Sequence, residues 1–472
     1  MAKRRSPFYL SLKAKFFLFT ICTGVLLAIF AYQIENVLHY VRPLSRVDAV
    51  FPFTPQTWTL APEAPSDRIE PFVVQASDEV LADLRYRLQH TRFGPPLSGV
   101  NFQYGFPSTY LREVVDYWLN SYDWKKQEKF INQYIHFTTK IEGLNIHFVR
   151  AEPKEKDVRI LPIILLHGWP GSFYELYKLI PLLTTPQKSS CGVWQQVAFE
   201  VIIPSLPGYG FSQAAQKPGL DTAAMARMFH TLMTRLGFQK YFIHGGDWGS
   251  LIGRTMAVMY PDSVHGLELT MYPIPMIPSL LKNAVASFIP SWFVEHHEAD
   301  KLFFHNVPAL LRETGYMHIQ ATKPDTVGAA LSDSPAGLAA YIMEKFSTWT
   351  NDDNIQHPKG NLAKYFDMDD LINNVMIYWI SNSIMSSQRL YKEVFATDYD
   401  TYLRYPVKVP TMLSDFFHEL RGANPPTEYV RPYFTNLLKV SAHSTGGHFP
   451  AMERPNDIAE DIRALGLAVI KC

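Results

Sequence analysis

Through the middle of the chain, short unbroken apolar runs end in glycine-rich turns, and amphipathic stretches follow them. Residues 160–166 (ILPIILL) carry no polar position, the pattern of a parallel strand covered on both faces. They lead into His167-Gly168-Trp169-Pro170-Gly171-Ser172 and a helix-compatible segment. Residues 199–203 form a second run, ending in PSLPGYGFS at 204–212; residues 241–243 form a third and residues 266–271 a fourth. Strand–turn–helix units at this spacing predict a doubly wound, mostly parallel sheet, with its functional residues at the carboxyl ends of the strands. Before them, residues 48–157 are rich in proline and aromatics, with one helical stretch at 77–90. Residues 135–150 alternate like two strands about Glu142-Gly143. After Tyr272-Pro273 the β pattern stops: residues 275–401 read mainly as helices, interrupted at Asp333-Ser334-Pro335 and Asp352-Asp353. A strand returns at 407–413, and a last helix starts near Pro455. An all-helical insertion between two α/β stretches is the pattern of a cap over an active site. The predicted organisation is an amino-terminal anchor at 1–45, an extra region at 46–155, the first part of an α/β core at 156–274, a helical cap at 275–401 and the rest of the core at 402–472.

The amino end has a pattern of its own. Residues 16–32 (FFLFTICTGVLLAIFAY), seventeen in all, carry no charge, the low end of the roughly 17–25 needed for a membrane-spanning helix. Lys3, Arg4, Arg5, Lys13 and Lys15 precede them, but no small-x-small cleavage site closes the run, so a retained single-pass anchor is expected rather than a cleaved signal. The leading basic residues would place the bulk of the chain in the lumen, whereas the lack of any Asn-x-Ser/Thr sequon points the other way. Composition narrows the remaining classes. Lys plus Arg and Asp plus Glu both number 44, with no sustained basic stripe, so no nucleic-acid partner is expected. Cys22, Cys191 and Cys472 are odd in number, implying no disulfide framework, and no pair of them has metal-ligand spacing. No metal or cofactor is expected.

Candidate chemistry centres on residues 241–250, YFIHGGDWGS. A short β-prone run enters small-x-acid-x-small, from Gly245 to Gly249, with helix-compatible sequence following. This is the form of a nucleophile elbow, the strained strand-to-helix turn of α/β-hydrolases, where flanking glycines leave room for one raised side chain. Esterases place serine there; this chain places Asp247. A serine attacking a saturated carbon would leave an ether that water could not cleave. A carboxylate leaves an ester, which water opens at the carboxylate's own carbonyl, so Asp247 suggests opening of an alkyl electrophile followed by hydrolysis. The chain order in this fold is nucleophile, acid, histidine. His448 follows Gly446-Gly447 just before a helix, a setting His443 lacks. For the acid, spacing leaves Asp415 and Glu419 both open. Phe173, Trp248, Phe346 and Trp349 are candidates to line an apolar substrate slot.

Six segments taken together resemble the microsomal epoxide hydrolases, with the insect juvenile hormone epoxide hydrolases as close relatives: HGWPGSFYELYKLIPLL, PSLPGYGFS, GGDWGS, ETGYMHIQATKPDTVGAALSDSPAGLAAYIMEKFSTWT, SSQRLYKE and GGHFPAMERP. The similarity runs from about Phe51 to the end and implies an α/β-hydrolase fold wrapped by the region at 46–155. It implies Asp247 as nucleophile and His448 as the base that activates water. Glu419 becomes the orienting acid, because Phe417-His418-Glu419-Leu420 fits the family's Phe-x-Glu-Leu. Tyr316 in GYMHIQ and Tyr391 in QRLYKE match two lid tyrosines that donate to the epoxide oxygen. Backbone N–H groups of Trp169 and Trp248 would hold the oxyanion of ester hydrolysis. The resemblance implies conversion of lipophilic epoxides, xenobiotic or isoprenoid, to vicinal diols at the endoplasmic reticulum membrane. A haloalkane dehalogenase would share the aspartate and histidine but would need indole or amide donors for a halide in place of phenols.

Overall fold

The computed structural model describes residues 44, 51–61, 66–155, 157–188, 196–275, 286–287, 290–397, 399–420 and 423–470. The uncharged segment at 16–32 lies outside the described residues. Among the described residues, no helix is long and apolar enough to cross a membrane.

The apolar runs become one sheet of β1 (Ile69–Phe72), β2 (Ile135–Ile141), β3 (Leu144–Ala151), β4 (Arg159–Leu166), β5 (Gln187–Lys188), β6 (Gln196–Pro204), β7 (Tyr241–Gly245), β8 (Val264–Leu269), β9 (Thr411–Phe416) and β10 (Leu437–His443). The order is β1-β2-β3-β6-β4-β7-β8-β9-β10, with β5 paired to β6 beside this path. Every pair from β6 to β10 is parallel, while β1, β2, β3 and β5 join antiparallel. Ile163 to Leu166 are buried, as a strand covered on both faces requires. Helices Thr222–Arg235 and Asp247–Met259 pack together against the sheet, and Pro455–Val469 packs with Leu179–Thr184 against β6, β8 and β9. Chain order reverses at β4, which lies between β6 and β7, and Leu166 pairs with Gly245. The turns after β4 and β7 therefore emerge side by side, where doubly wound sheets place their sites.

The predicted elements shift slightly. Val407 makes only an isolated bridge with Phe434, and the strand expected at 407–413 begins at Thr411. Pro406 and Pro410 have no N–H to give to a ladder, which delays pairing until they are passed. The interruption at Ser334 is a helix cap: its Oγ accepts from Gly337 N at 3.0 Å and opens helix Pro335–Thr348.

The amino-terminal region ties core and cap together. Glu142 and Gly143, at φ 51° and 87°, make the two-residue turn between β2 and β3. The Glu142 carboxylate accepts from Arg227 Nε at 2.6 Å, from Trp58 Nε1 at 2.8 Å and from Gln56 N at 3.3 Å, and Arg227 also donates to Pro52 O. Helices Ser108–Asn120 and Trp124–Ile131 reach the cap helix Met368–Ser381: Tyr117 Oη and Gln127 Nε2 each donate to Asp369 at 2.8 Å, and Tyr122 Oη donates to Asn373 at 2.7 Å. The cap's other long helices are Phe303–Glu313, Gly315–Thr322, Pro324–Asp333, Pro335–Thr348 and Ile384–Ala396.

Candidate active site

β7 ends at Gly245, and Asp247 opens the next helix at φ 49°, a conformation uncommon for any residue but glycine. The space around it is made by glycines. A Cβ on Gly249 would lie 2.0 Å from Leu166 O, and one on Gly168 would lie 2.2 Å from Asp247 Oδ1. With Gly168 in place, the turn after β4 approaches closely enough for Trp169 N–H to donate to Asp247 Oδ1 at 2.8 Å. The cap holds that turn in position: Asn374 Nδ2 donates to Pro170 O at 2.7 Å and Tyr378 Oη to Gly171 O at 2.6 Å. Trp248 is the second residue of its helix, within the first turn whose N–H groups lack intrahelical partners.

His448 arrives from the other side. Gly447 lets its loop pass against the end of helix Pro335–Thr348, where His448 N donates to Trp349 O at 2.9 Å; a Cβ on Gly447 would lie 2.5 Å from Thr350 O. His448 Nδ1 donates to Glu419 Oε1 at 2.6 Å, and Nε2 lies 3.3 Å from Asp247 Oδ2 without the alignment of a hydrogen bond. Burial by itself would lower the imidazole pKa, but the charge of Glu419 and the proximity of Asp247 prevail and raise it to about 10. His448 is thus a cation beside the free aspartate.

Above Asp247 stands an aromatic cage. Trp169 stacks on Tyr316 with centroids 5.1 Å apart, Tyr316 meets Trp349 at 4.9 Å and Tyr391 at 5.7 Å, and Trp248 meets Tyr391 edge-on at 4.6 Å. Trp349 also abuts the His448 ring at 5.0 Å. Burial first, then the charge of Asp247, pushes the Tyr316 hydroxyl well above its ordinary range; burial and the neighbouring Tyr316 do the same to Tyr391. Both phenols are held protonated. The Tyr391 hydroxyl and the indole N–H groups of Trp169, Trp248 and Trp349 are buried with no hydrogen-bond partner among the described residues. The cage therefore presents indole donors as well as phenols, which the sequence had associated with the dehalogenase alternative.

Of the residues singled out in the sequence, Asp247, His448, Glu419, Tyr316, Tyr391, Trp169, Trp248 and Trp349 come together here. Asp415 does not: it is engaged by Lys301 Nζ at 2.6 Å and by Asn424 Nδ2 at 3.3 Å. Phe173 packs its ring on His136, His147 and Phe211, and Phe346 stacks on Phe449 at 3.9 Å, contacts within the core around the site. Asn374, Tyr378 and Glu175 were missed. No motif marks the first two, which act on backbone carbonyls. Glu175 is buried near the site, and burial, opposed by the charge of His448, raises its carboxyl to about 8.

A parallel α/β sheet with a helical cap, and an acid raised on a glycine-flanked elbow, define an α/β-hydrolase with a carboxylate where esterases carry serine. Residues 69–176 match the family model described as epoxide hydrolase N terminus, and residues 162–396 match that of the alpha/beta hydrolase fold. The chain is 44% identical over 400 residues to juvenile hormone epoxide hydrolase 2 of Ctenocephalides felis, covering 84% of each. It is 44% identical over 408 residues to epoxide hydrolase 1 of Oryctolagus cuniculus, covering 84% of this chain and 88% of that one. The crystal structure of juvenile hormone epoxide hydrolase from the silkworm Bombyx mori superposes with a TM-score of 0.80 at 43% identity, over 85% of this chain and 94% of that one. The chain belongs to the epoxide hydrolase family.

Proposed function

We propose that this protein converts lipophilic epoxides to vicinal diols through an alkyl ester on Asp247. The observation that carries this reading is the line of acid, imidazole and acid, at 3.3 Å and 2.6 Å, lying beneath the buried Tyr391 and the partly buried Tyr316. Asp247 attacks a ring carbon; the carbon–oxygen bond breaks, its electron pair stays on the ring oxygen, and a tyrosine hydroxyl gives that oxygen its proton. The indoles of the cage bind and orient but cannot serve here, because an opened epoxide oxygen needs a proton and an indole N–H does not release one. Esterification removes the charge of Asp247 and with it one cause of the raised His448 pKa. The imidazolium can then give its Nε2 proton to the tyrosinate, and the neutral imidazole takes a proton from water while hydroxide adds to the Asp247 carbonyl, the oxyanion facing the N–H groups of Trp169 and Trp248. Collapse expels the diol alkoxide, which takes the proton from His448, and the proton left on the Asp247 carboxyl passes to the imidazole, restoring the starting state.

The apolar cage favours a lipophilic substrate, and two classes fit it: the juvenile hormone epoxides named for the insect relatives, and xenobiotic arene and alkene oxides. Such substrates partition into bilayers, which suits attachment to the endoplasmic reticulum membrane through residues 16–32. The two-step scheme is tested by intact-mass measurement. His448→Gln mixed with styrene oxide should gain the mass of one whole epoxide and stall, and Asp247→Ala should gain nothing. An absence of any adduct on His448→Gln would sink the ester intermediate.

A further inference from the structure

We infer that Lys345 is a positioning residue for ring opening, its buried ammonium strengthening Tyr316 as a proton donor. The inference rests on the role proposed above for Tyr316. Lys345 lies in helix Pro335–Thr348 and is only 8% exposed. Its Nζ sits 5.2 Å from the centroid of the Tyr316 ring and 5.6 Å from that of Trp349, over both faces. Its ion-pair partner is the adjacent Glu344, at 2.5 Å. Consecutive side chains on a helix diverge by about 100° and do not naturally meet, so the pair has folded over the helix surface to bring the ammonium against the rings. Glu344 is further occupied by Thr348 Oγ1 at 3.3 Å, and Glu313, which also reaches Thr348, is paired with Arg312 at 2.8 Å.

Withdrawing an ammonium from water is costly, and a methionine would fill the same place without that cost. The gain appears in the reaction. As the epoxide opens, the proton of Tyr316 moves to the ring oxygen and negative charge spreads into the phenol ring beneath Nζ. A cation held on a ring face attracts a tyrosinate more strongly than a neutral tyrosine, so the transition state is favoured over the ground state. The charge of Asp247 opposes ionisation of Tyr316 until the aspartate is spent in attack, and Lys345 offsets that opposition. Among the described residues no cation lies over Tyr391, so the two tyrosines are not equivalent and Lys345 acts through one of them.

The test is a double-mutant cycle read by single-turnover ester formation and, separately, ester hydrolysis, using styrene oxide and the full chain. Lys345→Met should slow ester formation by about ten-fold while leaving hydrolysis of the preformed ester unchanged. Lys345→Arg should recover most of the loss, and Lys345→Gln is the neutral comparator should the methionine variant not fold. In a Tyr316→Phe background, Lys345→Met should add little. Equal slowing in both backgrounds would mark Lys345 as merely structural and overturn the inference. Normal ester formation in Lys345→Met beside a slow Tyr316→Phe would overturn it while sparing the tyrosine role. A wild-type rate in Tyr316→Phe would instead overturn that role, and the inference with it.

Discussion

Tyr316 and Tyr391 belong to different helices, Gly315–Thr322 and Ile384–Ala396, and their rings meet nearly at right angles. Two phenols facing one reacting oxygen share a task, so neither is indispensable alone. Replacing either by phenylalanine should slow ester formation about ten- to a hundred-fold, and replacing both by more than a thousand-fold, as expected when general-acid assistance is lost. Single-turnover quench measurements on the three variants check this; ester formation at the wild-type rate in both single variants would remove the tyrosines from the chemistry. The same scale explains why the acid could not be chosen from spacing. Asp415 and Glu419 are four residues apart at the end of β9, and each finds a partner. What separates them is Lys301, contributed by another part of the chain, which occupies Asp415 and leaves Glu419 to the imidazole.

At the scale of elements, legibility followed packing. β4 and β7 were readable because a strand buried on both faces must be apolar throughout, and the elbow because its crossing against Leu166 tolerates only glycine at 249. β10 was not readable: it is an edge strand with only Ser441 buried, whose polar positions resemble a loop until it pairs with β9. The packing of Phe173 was hidden for a related reason, since its place in the chain next to the Trp169 turn says nothing about which side of that turn its ring takes. The Glu142–Arg227 pair was equally hidden, because the turn pattern announces the hairpin but not its buried partner 85 residues away. Both side chains are almost fully buried, and together they hold Gln56, Trp58 and Pro52 onto the core. Glu142→Ala leaves an unpaired buried guanidinium, for which a loss of about 3–5 kcal/mol is expected. Denaturant unfolding at neutral pH would register it, and a change under 1 kcal/mol would mean that the strap is held by its aromatic contacts instead.

Two properties belong to the whole molecule. Every residue of the candidate site lies at Gly168 or later, and Leu44 N already donates to Arg404 O, so removal of residues 1–40 should leave turnover in detergent intact. Carbonate-resistant membrane attachment is expected of the full chain only; extraction of the full chain by carbonate would refute the anchor. The second property is the dependence of stability on pH. His136 and His147 are hydrogen-bonded to each other in the core at 2.9 Å, and His167 is buried beneath the Trp169 turn. Burial lowers all three, His136 and His167 to about 4 from an ordinary 6.5. Between these values the unfolded chain binds protons that the folded chain refuses, so stability falls as pH drops from 6.5 toward 4, by about 3 kcal/mol each for His136 and His167. Glu175 and Glu453 act in the opposite sense: burial raises them to about 8 and about 7, so the stability they allow is lost as pH rises above 4.5 toward those values. The opposing slopes partly cancel in the wild type, and a single melting curve would not separate them. A difference does. His136→Gln removes one titrating imidazole and leaves the carboxyls untouched, so the stability gap between wild type and variant should narrow steadily from pH 7 to pH 5. Thermal unfolding of the two proteins across that range measures it, and a gap that stays constant would show that His136 is not a proton acceptor of the unfolding chain.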